Sequence, residues 1–263
     1  MTAAKKVALP EFIETALAAA HPSWHAHLRS GLNAMSAEQP NYFSTLAQHD
    51  FFPTENRLFA AFTQPITSVR FVLLGEGPYP RAASATGVCF MDGAVQSLWQ
   101  PGAGLSKPVN RATSLRNFIK MVLVAEGVLN IQNTTASALT SVAELACAPN
   151  SGWIQTGAEL QANLMQQGFL LLNASLVFRT EVAPVQDAKA WLPFLRTILQ
   201  ALSMQNELEI KLILWGKIAE KIRELPEADK FLALASEHPY NLSFIANPVM
   251  QNLFKSLHLF KAH

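Results

Sequence analysis

Charge, cysteine and long apolar runs are all scarce in this 263-residue chain, and each scarcity excludes something. Charged residues make up 15% of the sequence, against about 25% in ordinary domains, and 20 Lys/Arg facing 19 Asp/Glu leave a net charge of +1. A charge-extended, disordered chain is thereby excluded, and so is binding to nucleic acid by bulk attraction; any contact with DNA has to come from a local surface. Two cysteines, Cys89 and Cys147, build neither a disulfide framework nor a zinc-ligand spacing. A reducing, cytoplasmic compartment is the expectation. Asn, Arg, Glu or Pro interrupts each apolar run before the ~20 residues needed to cross a bilayer, so no membrane partner is expected. Lys5 and Lys6 could start a secretory leader, but Pro10, Glu11 and Glu14 break the apolar stretch that should follow.

Apolar residues are plentiful, at 50% of the chain, which is enough for a large core. The length allows one large domain or two small ones. No repeat, low-complexity tract or long linker divides it, so a single domain over residues 1–263 is expected. Helical spacing marks Pro10 to Ala20, the trio Trp24, Leu28 and Leu32, and the stretches Ser114 to Glu126, Thr135 to Cys147 and Lys189 to Leu202. Val69 to Leu74, Phe169 to Leu172 and Ile210 to Trp215 are short apolar runs of the kind that form strands buried on both faces. Phe231 to Ala235 fits a fourth strand or, being Leu/Ala-rich, a helix. Buried strands alternating with helices predict an α/β fold with a mostly parallel sheet.

Ligands of such sheets sit beyond the carboxyl ends of the strands. There the chain reads Gly75-Glu76-Gly77-Pro78-Tyr79-Pro80, then Asn173, then Gly216-Lys217, then His238-Pro239-Tyr240-Asn241-Leu242-Ser243. All four segments can converge on one crevice. Together with Gly87-Val88-Cys89-Phe90, Ser114-Leu115-Arg116-Asn117, Leu170 to Ala174 and Ile213-Leu214-Trp215-Gly216, they stand in the order and spacing of the uracil-DNA glycosylase family, which the chain resembles from about Trp24 to Phe254. Each short motif is weak alone; six in order are a specific signal. The resemblance implies a central four-stranded parallel sheet flanked by helices, with residues 1–22 as an N-terminal extension. It also implies a deoxyuridine extruded from DNA into a pocket, where the glycosidic bond breaks through a cationic sugar and an anionic base.

Carried over position by position, the resemblance makes Asn173 the amide that reads the base and Phe90 the ring that stacks on it. Tyr79 becomes the side chain that blocks a 5-methyl group, and His238 the donor to the uracil oxyanion. Leu242 is the wedge that fills the vacated space in the duplex, while Ser114, Ser243 and Gly216 grip phosphates. Lys217 adds a cation where the family has Ser. Taken singly, Asn173 would satisfy a turn, Phe90 and Tyr79 would be core, and His238 would be a loop histidine; falling together at pocket positions favours the site. His21, His25, His27 and His49 lack metal-like companions and are expected at the surface. Neither a metal nor an organic cofactor is implied.

The hydrolytic half departs from the family. Its Gly-Gln-Asp-Pro-Tyr-His motif has become Gly75-Glu76-Gly77-Pro78-Tyr79-Pro80, so the carboxylate that steadies the sugar cation is missing at Gly77, which keeps its place beside the base. That loss is worth on the order of a thousandfold or more in rate. Glu76 is the nearby carboxylate that could compensate, although extended backbone turns it to the opposite face; Asp92 is expected to cap a turn instead. The family's proline-rich loop is replaced by Asn110-Arg111-Ala112-Thr113, and the Ser-Pro of its wedge loop by Tyr240-Asn241. Three readings follow. The first is a protein that keeps the base pocket, binds uracil-containing or single-stranded DNA, and has weakened or lost hydrolysis. The second is an active DNA glycosylase using Glu76 or accepting another base. The third is a decoy for inhibitor proteins that mimic DNA.

Overall fold

The computed structural model describes residues 9–205 and 209–262. Lys5 and Lys6 lie outside the described residues. Among the described residues six strands form: β1 (Phe71–Gly75), β2 (Trp99–Gln100), β3 (Gly104–Leu105), β4 (Phe169–Asn173), β5 (Lys211–Trp215) and β6 (Leu232–Ser236). Four of them make a central sheet of order β4-β1-β5-β6, every pairing parallel, and β2 and β3 make a small antiparallel pair. Helices flank the sheet, as the alternating pattern predicts.

Burial explains the order. Val72, Leu73 and Leu74 of β1, all five residues of β4 and Leu212 to Trp215 of β5 are buried, as apolar runs covered on both faces must be. β6 is the half-exposed edge, with Leu232 at 50% exposure. The segment Phe231 to Ala235, open to either reading, is strand from Leu232 onward, paired with β5. Its small residues Ala233 and Ala235 pair in parallel with Leu212 and Leu214.

The helices cover the sheet through aromatic clusters. Trp24, Leu28 and Leu32 are fully buried in and just before helix His25–Glu38, which packs on the long helix Pro184–Ser203. That helix begins before the expected Lys189 and continues through Pro193. Phe59, Phe62 and Phe194 join Trp24 and Trp191 there, and a second cluster sets Phe118 and Phe169 on Phe254. Periodicity missed the helix Gly157–Gln166, although Thr156 and Glu159 form a complete capping box at its start. His21, His25 and His27 are half-buried rather than at the surface. The rings of His21 and His25 bond Ser23 and the Ala20 carbonyl, because the connector they cap folds back over the core; His49 is exposed.

Candidate functional site at the strand ends

From β1 the chain crosses to β4 on one side, whereas β5 and β6 lie on the other. The switch between β1 and β5 splays the outgoing loops apart, which is where open α/β sheets bind ligands. A cavity of about 830 Å³ opens there. Its wall takes residues from all four strand ends: Gly75 at the end of β1 with Glu76, Gly77 and Tyr79 beyond it, Asn173 at the end of β4, Gly216 and Lys217 after β5, His238 after β6. Phe90 and Ser114 also line it.

Asn173 ends a wholly buried strand and is 3% exposed, yet neither its Nδ2 nor its Oδ1 has a hydrogen-bond partner among the described residues. The residue next to it in the sheet has to be glycine. A Cβ on Gly75 would stand 2.7 Å from Asn173 Oδ1 and 2.8 Å from Cys89 Cβ. A buried amide left unpaired costs about 1–3 kcal/mol.

Phe90 has a positive φ of 69°, unusual for a bulky residue, and its ring is fixed edge-on by Phe118 at 5.2 Å and Trp215 at 5.0 Å. The Tyr79 hydroxyl donates to the Phe90 carbonyl at 3.0 Å, tying the loop after β1 to this turn. Burial, with the Asp92 charge behind it, pushes the Tyr79 phenol up to about 12, so it stays a neutral donor. Asp92 accepts from the Ala94 backbone at 2.9 Å and caps a turn.

His238 Nδ1 accepts from the Tyr240 backbone N–H at 3.2 Å, which puts the proton of the neutral ring on Nε2. Burial holds this imidazole below its usual range, and the Glu76 carboxylate pulls the other way. Gly216, in the left-handed region at φ 72°, passes so close that a Cβ there would meet His238 Cβ at 2.8 Å. Glu76 itself is exposed, as are Gly77 and Lys217.

Leu242 and Ser243 are not in the cavity wall. Leu242 stands 69% exposed on the loop at its rim, with Tyr240 beside it at 60%. Against burial, which raises it, Ser243 helps to hold the Glu237 carboxyl below its usual range. Asn117, quoted above only as part of a motif, carries this loop: its fully buried Nδ2 donates to the Pro239 carbonyl at 2.7 Å, with the Tyr240 and Asn241 carbonyls at 3.3 and 3.4 Å. Glu220 and Glu237 also line the cavity and went unmarked. The position of Glu237 directly before His238 is the signal that could have found it.

A parallel sheet with a preformed, partly polar cavity at its switch point defines an α/β protein with a ligand-sized cavity at its strand ends. No protein-family profile matches the chain. Among solved structures, it is similar to the wild-type UNG of Nitratifractor salsuginis, 33% identical with 96% of each chain covered and a TM-score of 0.85. Among curated proteins, it is 27% identical over 230 residues to the uracil-DNA glycosylase of Bacteroides thetaiotaomicron, 84% of both chains. With that of Pseudomonas entomophila the identity is 29% over 226 residues, 84% of this chain and 81% of the relative. The mimivirus uracil-DNA glycosylase, 18% identical at a TM-score of 0.55, shares the fold. The chain belongs to the uracil-DNA glycosylase family.

Proposed function

We propose that the chain binds DNA through an extruded uracil and has weakened or lost the hydrolysis of its glycosidic bond. The observation that carries this reading is Asn173, whose buried amide offers one unpartnered donor and one unpartnered acceptor to the cavity. Uracil presents the complementary acceptor and donor on adjacent ring atoms. Phe90 supplies a stacking face and Tyr79 stands where a 5-methyl group would go. The neutral His238, with its proton on Nε2, donates to the uracil O2. Leu242 enters the duplex from the rim as an apolar wedge, and Ser114, Gly216 and Lys217 meet phosphates at the mouth. Gly77 has no side chain with which to steady a sugar cation, and its neighbour Glu76 is exposed.

Anisotropy binding to single-stranded oligonucleotides carrying one deoxyuridine or one thymidine, run beside an abasic-product assay, tests this. The expected result is a uracil preference that Asn173→Ala removes, with little base release. Rapid uracil excision abolished by His238→Ala would reject the reading.

A second reading is supported by Glu76, which lines the same cavity and acts electrostatically on His238. Here Glu76 replaces the missing carboxylate in an active DNA glycosylase acting on uracil or another altered base. It requires base release that Glu76→Gln abolishes. A screen of deaminated and damaged bases that gives no abasic product at high protein concentration ends it.

A further inference from the structure

Between Asp92 and Glu126 the chain carries four of its 20 Lys/Arg and none of its 19 Asp/Glu. Lys107 and Arg111 stand one turn apart on the exposed side of the short helix Lys107–Arg111, whose inner side is held by buried Val109 and the Ser106 cap. Arg116 and Lys120 are likewise one turn apart on the next helix, Thr113–Ala125. The two helices meet at Ala112, and Ser114 follows at once in the cavity wall. Arg116 donates back across the junction to the Asn110 carbonyl at 2.9 Å, so the two pairs form one ridge. Asn117, between Arg116 and Lys120 in sequence, holds the loop that carries Tyr240 and Leu242. The ridge therefore flanks Ser114 in the cavity wall, on the helices that lead to it and hold that loop.

Among the described residues none of these four cations is in an ion pair. Like charges one turn apart repel. Burial first and the Arg116 charge second hold the Lys120 ammonium below its ordinary range. In a chain of net charge +1, a local run of unneutralised cations on the helices that flank Ser114 is complementary to a polyanion.

We infer that Lys107, Arg111, Arg116 and Lys120 bind the phosphodiester backbone of the strand whose base enters the cavity. This rests on the DNA-binding reading above and adds the path of the strand. Phosphate contacts of this kind position the strand and carry no base preference.

The test titrates the intact protein with the deoxyuridine and thymidine oligonucleotides between about 50 and 200 mM salt. It compares the parent with Lys107→Gln/Arg111→Gln and with Arg116→Gln/Lys120→Gln. Each double variant is expected to weaken binding to both oligonucleotides about equally and to flatten the slope of log affinity on log salt by about 1.4, or 0.7 per lost single-strand contact. Uracil preference stays as it was. Slopes unchanged in both variants while the preference persists overturn the ridge and leave the base reading standing. Slopes flattened in a protein with no uracil preference support the ridge and sink the base reading. Absence of binding to either oligonucleotide sinks both.

Discussion

Gly77 lies against Ser175 with room for a side chain: a Cβ built on it would meet the Ser175 carbonyl oxygen at 3.8 Å, an ordinary van der Waals contact. Its backbone lies outside the left-handed region, so a side chain there meets neither a clash nor strain. Gly77→Asp should therefore fold as well as the parent while placing a carboxylate in the cavity wall. The expected outcome is a gain in uracil release on the order of a thousandfold, the scale of a restored electrostatic contribution to the transition state. Abasic product from single-stranded DNA is the readout. A folded variant that gains nothing would show that the rest of the site is not assembled for hydrolysis.

The pair Glu76 and His238 makes a prediction with a definite sign. Burial depresses the His238 imidazole from its ordinary 6.5, and the Glu76 charge opposes that depression. Glu76→Gln removes the opposing charge, so the ring should titrate lower still, as followed by NMR of the imidazole protons. An upward move would contradict the geometry. The depressed value also bears on stability. As pH falls through 6.5 the unfolded chain takes up a proton that the folded ring resists, so stability contributed by neutral His238 is complete above 6.5 and lost below it. His238→Gln should flatten that part of the stability profile.

Asn117 ties the rim loop to helix Thr113–Ala125 by donating toward three consecutive carbonyls. Asn117→Ala takes the donor away from the buried Pro239 carbonyl and should cost about 1–3 kcal/mol in denaturant unfolding. Asn117→Asp should cost more, because it turns a donor into a carboxylate facing the same oxygens. Both should weaken DNA binding by loosening the loop that carries His238 and Leu242. Equal stability of the two variants would mean that the amide N–H groups are not what hold the loop.

The main strands and the long helices were legible because burial on both faces writes continuous apolar runs, as in Leu170 to Leu172, and because helical spacing persists from Ser114 to Glu126. The strand-end residues were legible as a set, since topology sends every carboxyl end of a parallel sheet to one side. Three things were not. Phe231 to Ala235 lies at an edge, where half-exposure blurs the pattern between strand and helix. The role of Asn117 is a contact across more than 120 positions of sequence, and no local period encodes it. The half-burial of His21 and His25 depends on a connector folding back over the core, a tertiary event that their polar neighbours do not announce.

A buried network away from the cavity sets the last expectation. Asp187, 1% exposed, accepts two bonds from Arg179 at 2.7 and 3.1 Å and one from the Tyr42 hydroxyl at 2.7 Å, while Trp191 Nε1 donates to that hydroxyl at 2.9 Å. Burial, reinforced by the bond to Asp187, pushes the Tyr42 phenol far up, so it serves as a donor at any ordinary pH. The network joins helix Tyr42–Leu46 to the segment that leaves β4 after Asn173 and to helix Pro184–Ser203. Asp187→Ala strands a guanidinium that is 10% exposed without its counter-charge, and breaking a buried pair in this way costs about 3–5 kcal/mol. Arg179→Met with Asp187→Leu removes both charges and should recover much of that loss, because no ion is then left unpaired. Urea midpoints of the two variants, compared with the parent, check the order. The single variant, where it remains folded, should keep its preference for uracil, since none of these side chains lines the cavity.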